Sequence, residues 1–316
     1  MDRKLSKALG NQQSTPVTRI PELGRNCMFC GGTPLSKEHL YGNWMYKKHT
    51  DQIARESKQR SPHTVLLNLG DDVLVPTAGF LQRPGHPLGR TISVVCGKCN
   101  NTWMAKIESD MKSTYERLFE SDHTSICQEE ANAIAMWGYL KYCLHENTYP
   151  AQNYVPFTSD NAPYEIGAIG KEKMERWRRL ASSYWIPDYV YIYIARSTPS
   201  AEGIYGRANY IPLGYAARKG DLSEIIGHFA LFMLTIGPFH LLVAANPVPE
   251  RGWEGELSRH RSGTLKTRTL VEVTQPLKNG IVHLLSDTGV SCFELHQIFV
   301  RLVPQEIQGK LLPYTI

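Results

Sequence analysis

The sequence lacks the compositional extremes that mark several classes of protein. We find no internal repeat, and the hydrophobic fraction of 42% and the charged fraction of 21% are ordinary for a globular chain. These values exclude a collagenous or a disordered protein. Cysteine, with seven among 316 residues, is too sparse for a disulfide-rich scaffold. The length allows one large domain or two modest ones.

The chain also lacks a large excess of one charge. The 35 basic and 30 acidic residues leave a formal net charge of +5. This mildly basic balance is compatible with nucleic-acid binding, but it is too small to establish it.

The chain also lacks a segment with the pattern of a signal peptide or a membrane span. Its first residues, MDRKLSKALGNQQSTP, include no apolar stretch of the kind that a secretory signal requires. The longest apolar run, 225–245, is interrupted by His228, His240 and a central Gly237-Pro238 pair. This pattern predicts two buried strands joined by a turn. We therefore expect a cytoplasmic protein with no membrane partner.

Composition along the chain divides it into three regions. Residues 1–24 are polar and aperiodic, so we expect a flexible basic arm. Residues 25–124 contain paired cysteines and an insertion at about 45–90. Residues 125–316 are predicted to form a C-terminal α+β domain of unknown role.

The insertion is predicted to have little regular structure. Its first part, 47–60, carries five Lys or Arg against Asp51 and Glu56 and predicts a basic helix or loop. Its second part, 69–89, is rich in glycine and proline and predicts an irregular loop.

Hydrophobic periodicity predicts the remaining elements. Apolar residues at helical spacing predict an amphipathic helix; they are Trp103, Ile107, Met111, Tyr115 and Leu118. Further helices are predicted over about 129–146 and 170–182. Strands, mostly antiparallel, are predicted over 91–95, 189–195, 206–215, the two halves of 225–245, 269–274, 281–285 and 292–303.

Four of the seven cysteines occur as two C-x2-C pairs, Cys27 with Cys30 and Cys96 with Cys99. Each pair can bind one metal ion from a single tight turn, and two pairs complete the tetrahedral sulfur site of structural zinc. Glycines beside both pairs suit the cramped backbone around the thiolates. The sequence therefore predicts one structural Zn2+, the alternative being four buried thiols.

Two further motifs lie close to the cysteine pairs, and structural zinc needs neither of them. They are Ser36-Lys37-Glu38-His39, after the first pair, and Asn100-Asn101, directly after the second. The whole frame, CxxCG…SKEHL…VVCxxCNNxW, resembles the HNH endonuclease superfamily, the ββα-metal nucleases, in the subset held by four cysteines. The resemblance covers about residues 25–120.

The resemblance implies a role for each motif. His39 would be the general base, Glu38 a ligand of a catalytic divalent ion, and Asn100 the second protein ligand. Asn101 would replace Asn100 if the helix were shifted by one residue. The implied fold class is α+β, with a zinc-stapled ββα-metal (HNH-like) module followed by a helix-connected, mostly antiparallel β domain.

General chemistry agrees with these implied roles. Phosphodiester hydrolysis needs a base for the attacking water and positive charge beside the transition state. Histidine titrates near neutrality, and Mg2+ or another hard divalent ion prefers oxygen ligands such as those of Glu38 and Asn100. On a strand, Glu38 and His39 are expected to point to opposite faces.

Two positions depart from the family pattern. The family typically has an asparagine that orients the general base where this chain has Thr91, and it commonly has aspartate where this chain has Glu38. The Thr91 hydroxyl, or an asparagine of the insertion such as Asn68, would have to orient His39.

Basic residues near the predicted site are candidates for binding phosphates, the alternative being a solvated charged surface. They are Arg25, Lys37, Lys47, Lys48, Arg90 and Lys98. The C-terminal domain is expected to hold no catalytic group and to be the candidate surface for homo-oligomer formation.

The leading hypothesis is a metal-dependent HNH-type endonuclease that cuts DNA, in a phage, mobile-element or defence setting. Simpler interpretations stay open, because a Glu-His dipeptide is commonly a surface pair and Asn100 is a good helix N-cap. The alternatives are a non-catalytic, zinc-stapled nucleic-acid-binding module and a ligand- or partner-sensing protein with a degenerate nuclease scaffold.

Overall fold

The computed structural model describes residues 26–49, 67–70, 73–76, 87–120, 125–148, 166–196, 205–218, 221–236, 239–245, 271–274 and 281–283. Several predictions concern other parts of the chain. The arm 1–24, Arg25, most of the segment 47–60 and the strand 292–303 lie outside the described residues.

Helices and strands alternate irregularly along the chain. The helices are α1 (Asn43–Lys48), α2 (Ala105–Glu120), α3 (Gln128–Thr148) and α4 (Ile166–Ser183). A helical turn, Gly97–Cys99, and a π-helical turn, Asn100–Met104, lead directly into α2. The strands are β1 (Leu35–His39), β2 (Leu67–Gly70), β3 (Val73–Pro76), β4 (Thr91–Cys96), β5 (Ser125–Cys127), β6 (Val190–Arg196), β7 (Tyr205–Arg218), β8 (Asp221–Ile236), β9 (Phe239–Ala245), β10 (Val271–Glu272) and β11 (Ile281–His283).

The strands form antiparallel sheets. The largest has five strands in the order β10-β6-β9-β8-β7, and three two-stranded sheets pair β1 with β4, β2 with β3, and β5 with β11. Helices combined with antiparallel sheets confirm the α+β class. The two strands predicted within 225–245 are also confirmed, because β8 ends at Ile236 and pairs with β9 from Phe239 onward.

The prediction of an irregular loop over 69–89 is wrong in its first part. There β2 and β3 form a two-stranded antiparallel sheet, with Leu69 opposite Leu74 and Gly70 opposite Val73. The short apolar runs LNLG and VLVP flank two aspartates in the sequence and pair with each other. Backbone pairing therefore outweighs the glycine and proline content that favoured a loop.

The predicted helix after the second cysteine pair is confirmed, and its apolar stripe faces the core. Ile107, Met111, Tyr115 and Leu118 are all buried. No helix in the described part of the chain is both long enough and apolar enough to cross a membrane.

One hydrophobic cluster runs from Cys27 near the start of the described residues to Val273. Helix α3 lies at its centre, because it packs on α2 on one side and on strand β9 on another. The cluster is therefore continuous across the predicted division at 124/125. The division into domains stays a prediction, because only the separated fragments can show whether each one folds independently.

Candidate functional site

The four paired cysteines come together in one cluster. Their sulfur atoms all lie within 4.8 Å of one another, and the sulfurs of Cys30 and Cys96 are 3.5 Å apart. The first pair lies in the turn before β1, and the second spans the end of β4 and the first helical turn. This four-sulfur arrangement could hold a metal ion such as zinc.

Backbone amides already point at these sulfurs. Gly32 N donates to Cys30 Sγ at 3.3 Å, and Cys99 N donates to Cys96 Sγ at 3.5 Å. Burial raises the pKa of Cys96, but the Cys99 amide and the neighbouring thiols outweigh it and bring that pKa down to about 7. A lowered thiol pKa favours the thiolate, which is the form that binds metal.

The surroundings of the Trp103 indole N–H also favour a thiolate in the cysteine cluster. Its indole Nε1 is buried without a partner of normal hydrogen-bond geometry among the described residues. Burial raises the pKa of the Cys99 thiol well above its usual value, and the Trp103 side chain opposes that shift. A zinc-bound thiolate at Cys99 would give the indole N–H the strong acceptor that a neutral thiol does not provide.

Strand β1 presents Glu38 and His39 to opposite faces, as expected. Glu38 is only 6% exposed, whereas His39 is half-buried. A bulge between Ser36 and Glu38 changes the register with β4 just before this dipeptide, and it places His39 directly opposite Thr91. The strand therefore turns Glu38 into the core and leaves His39 partly exposed on the opposite face, which we call the open face.

Asn100 lies beside Glu38. Its amide nitrogen donates to Ser36 Oγ at 3.3 Å, and its side chain is close enough to the Glu38 carboxyl to lower the pKa of that group. The interpretation of Asn100 as a mere N-cap is wrong, because Cys96 is the cap and Asn100 already has helical φ and ψ of −60° and −46°. Asn101 is exposed, so Asn100 is the asparagine that the helix places next to Glu38.

The sequence reasoning missed Lys141, a fully buried residue of α3. Its Nζ lies 3.7 Å from Glu38 Oε1, donates to the His39 carbonyl at 3.3 Å and forms an ion pair with Glu108. The available signal was a lysine among bulky apolar residues in the run YLKYCL. Periodicity alone assigns such a lysine to an exposed face.

Glu108 anchors this group of charges. Its carboxylate accepts hydrogen bonds from Trp44 Nε1 at 2.7 Å and from Trp137 Nε1 at 3.1 Å. Gly42 makes room for it, because Gly42 has φ of 77° and an added Cβ would collide with the Glu108 carboxylate and with Trp44 Nε1. Trp44 thus packs into the core beside Tyr115, at 5.1 Å between ring centroids.

The electrostatics of the dipeptide follow from this environment. Burial raises the pKa of Glu38, and the nearby Glu108 adds to the effect, while Lys141 and Asn100 oppose it. Burial lowers the pKa of His39, and the positive charges of Lys141 and Lys47 lower it further, against the opposing effect of Glu108. The imidazole of His39 is therefore held in its neutral form near pH 7.

The predicted phosphate-binding residues are spread around this site. Lys37, Lys47 and Lys98 are exposed, and Lys47 is close enough to affect His39. Lys48 is half-buried, and its Nζ lies 4.0 Å from Glu116 Oε1. Arg90 is half-buried and directly precedes β4.

Comparison with known proteins finds no matching family model, no matching curated protein and no matching solved structure.

Proposed function

We propose that the protein is a metal-dependent endonuclease of the HNH type that hydrolyses phosphodiester bonds in DNA. One observation carries the proposal: the Glu38 and Asn100 side chains lie next to each other, Asn100 directly follows the last cysteine of the four-cysteine cluster, and His39 follows Glu38 with its side chain on the opposite, half-buried face of the strand. The order of β1, β4 and the helical segment from Gly97 supports a ββα-metal arrangement.

Each residue of the site has a task in this proposal. His39 is half-buried on the open face, so a neutral imidazole there can take a proton from the attacking water. Glu38 and Asn100 offer the oxygen atoms that a hard divalent ion such as Mg2+ prefers. When bound, such an ion supplies positive charge to the developing phosphorane-like transition state.

The balance of buried charge favours a cation at this place. Two carboxylates, Glu38 and Glu108, lie near one ammonium group, that of Lys141. With both carboxylates ionised and no further positive charge, the group carries one excess negative charge in a poorly solvated environment, which is unfavourable and agrees with the raised pKa of Glu38. A divalent ion beside Glu38 and Asn100 would offset it.

DNA is the proposed substrate because exposed basic residues lie on or near the segments that carry the site. Lys37 precedes Glu38 on β1, Lys47 is close enough to His39 to lower its pKa, and Lys98 lies in the helical turn before Asn100. In this proposal they neutralise backbone phosphates. The proposed setting is a phage, a mobile element or a defence system.

A cleavage assay tests the proposal. Supercoiled plasmid, linear duplex and single-stranded DNA are incubated with the protein in EDTA, Mg2+, Mn2+ or Ni2+. We expect cutting only with a divalent ion. His39→Ala should lose about 10²–10⁴-fold in turnover, the usual value of a general base, while zinc content, melting temperature and DNA affinity stay near wild type.

Variants of the other two residues provide the contrast. Glu38→Gln and Asn100→Ala should raise the divalent-ion concentration needed for half-maximal cutting, and excess Mg2+ or Mn2+ should partly rescue them. Extra metal should not rescue His39→Ala, because an ion does not replace a positioned proton acceptor. An active His39→Ala protein would refute the assigned mechanism.

A non-catalytic nucleic-acid-binding module is the second candidate. The ion pair between Glu38 and Lys141 favours it, because this pair partly neutralises Glu38 without any metal. That candidate predicts salt-sensitive DNA binding with no cleavage under any metal condition, so the same assay separates the two functions.

A further inference from the structure

Lys141 connects helix α3 to the strand that carries the candidate catalytic residues. Helix α3 and strand β1 are about a hundred residues apart in the chain. Lys141 Nζ nevertheless contacts both the Glu38 carboxylate and the His39 carbonyl of β1. The lysine itself is 0% exposed. It therefore cannot reach a phosphate in solution, and any influence on the reaction has to pass through β1.

Glu108 holds the lysine end of this connection in place. The Lys141 ammonium forms its closest ion pair with Glu108, and the indole N–H groups of Trp44 and Trp137 fix the Glu108 carboxylate from two sides. Buried charge is costly unless it is paired and hydrogen-bonded, so this arrangement has a strongly preferred geometry. Lys141 thus reaches β1 from an anchored position.

Lys141 contacts β1 directly after a β-bulge, at the two residues whose side chains form the candidate site. The bulge between Ser36 and Glu38 interrupts regular pairing with β4 immediately before the Glu-His dipeptide. A bulge disrupts the ladder locally and redirects side chains, so contacts from outside the sheet add support to the residues beside it. The bond to the His39 carbonyl and the ion pair to Glu38 supply such support on both residues.

We propose that Lys141 is a positioning residue of the nuclease site, so that β1 and α3 together build the site. This inference rests on the proposed function. Lys141 fixes the Glu38 carboxylate and the main chain of His39, and thereby the direction of the imidazole on the opposite face. The site then extends beyond the HNH-like region into the predicted C-terminal domain.

Lys173 provides a matched control for the burial of a lysine. It lies on α4, is 4% exposed, and its Nζ lies 3.7 Å from Glu146 Oε1 of α3. Lys173→Met and Lys141→Met both remove one buried ammonium from a carboxylate partner. Both should lower the melting temperature, so a difference in catalysis reflects position and not burial.

The experiment compares the full-length wild type, Lys141→Met and Lys173→Met by zinc content, melting temperature, and kcat and KM for DNA below the melting transition. Hydrogen exchange of the peptide covering 35–40, measured in buffer without divalent ions, reports on β1 independently of activity. For Lys141→Met we expect kcat to fall about 10–100-fold, as when a supporting partner of an active-site ligand is lost, with KM within about twofold of wild type. We also expect faster exchange of β1. Lys173→Met should keep the wild-type kcat and β1 exchange.

A double variant covers the case in which Lys141→Met does not fold. Lys141→Met with Glu108→Gln removes one positive and one negative charge together, so the net charge of this buried group stays as in the wild type. It should fold and still show the low kcat and fast β1 exchange, because the contacts to Glu38 and His39 remain lost.

Three results would overturn the inference. The first is a wild-type kcat and β1 exchange in the double variant, which would reduce Lys141 to a charge-balancing residue. The second is an equal loss of kcat in Lys141→Met and Lys173→Met, which would leave the proposed nuclease function intact. The third is a wild-type protein that cuts no substrate with any divalent ion, which would overturn the proposed function as well.

Discussion

His39 and Thr91 lie directly opposite each other across the antiparallel pair of β1 and β4. Directly opposed residues in such a pair have Cβ atoms about 4.5–5.5 Å apart, so their side chains can interact. Thr91 is exposed on the strand edge. The proposed general base therefore has a hydroxyl-bearing neighbour at the position where the HNH pattern has an asparagine.

Thr91→Asn should increase turnover. An asparagine side chain is longer than threonine and carries both a donor and an acceptor, so it can orient the imidazole more strictly. We expect kcat to rise by about tenfold, in line with the value of a supporting hydrogen bond to a site residue. Ser93→Asn, at another exposed position of β4, is the control and should change nothing. A lower kcat for Thr91→Asn would show that Thr91 itself is the better partner.

One zinc ion per chain is expected in protein purified without chelator. Cys99→Ser should lose the ion and unfold the surrounding module, because the metal-binding free energy of such sites is folding free energy. Cys127→Ser alters a half-buried cysteine outside the cluster and should keep both zinc and fold. Elemental analysis and circular dichroism decide the matter, and wild-type protein without zinc would contradict the assignment.

Trp103 should tune the zinc affinity. Trp103→Phe keeps the edge-to-face packing on Phe29, whose ring centroid is 4.8 Å away, but removes the indole N–H beside Cys99. Loss of a hydrogen bond to a metal-bound ligand typically weakens the metal by about 10–100-fold. Competition with a chromogenic chelator measures the change. Trp185→Phe, at an indole ring covered by the Arg179 guanidinium, is the control.

Lys47 should contribute to DNA affinity through charge alone. Lys47→Ala should weaken binding at low salt equally for all sequences and lower the slope of log K against log salt by about 0.9 per lost phosphate contact. Lys106→Ala is the control, since Lys106 is exposed on α2, outside the segments that carry Glu38, His39 and Asn100. Fluorescence anisotropy over a salt series provides the measurement, and identical slopes for the two variants would exclude a phosphate contact at Lys47.

Acid should destabilise the protein through two buried histidines. Burial lowers the pKa of His240 to about 4 and that of His145 to about 3. Above pH 6.5 both are neutral whether folded or unfolded. Below it, the unfolded chain binds protons that the folded chain does not, so stability falls until the pH reaches the folded-state pKa.

The loss should be about 2 kcal/mol per histidine between pH 7 and pH 5. His240→Asn keeps a polar group near Thr235, which His240 Nδ1 contacts at 3.1 Å, but it does not titrate. Denaturant unfolding at pH 7, 6 and 5 should show a shallower decline for the variant. Parallel declines in wild type and variant would mean that His240 is not the group responsible.

Local pattern was sufficient to predict the cysteine cluster and the main helices. The C-x2-C spacing places two thiols on one turn regardless of the rest of the fold, and the stripe from Ile107 to Leu118 has one period and one buried face. The division of the apolar run 225–245 into β8 and β9 was also predictable, since Gly237-Pro238 interrupts the run. The strands β2 and β3 were not, because short strands depend on their partner more than on their own composition.

The sequence by itself determined which residue types surround the candidate site: two cysteine pairs, the Glu38-His39 dipeptide and Asn100. Only the tertiary structure decided that Asn100 and not Asn101 contacts Glu38, and that Lys141 and Glu108 lie beside them. The physical reason is that periodicity describes one helix or strand at a time. Helix α3 packs on α2 and on the large sheet, so its lysine meets Glu38 and the His39 carbonyl only when segments about a hundred residues apart pack together.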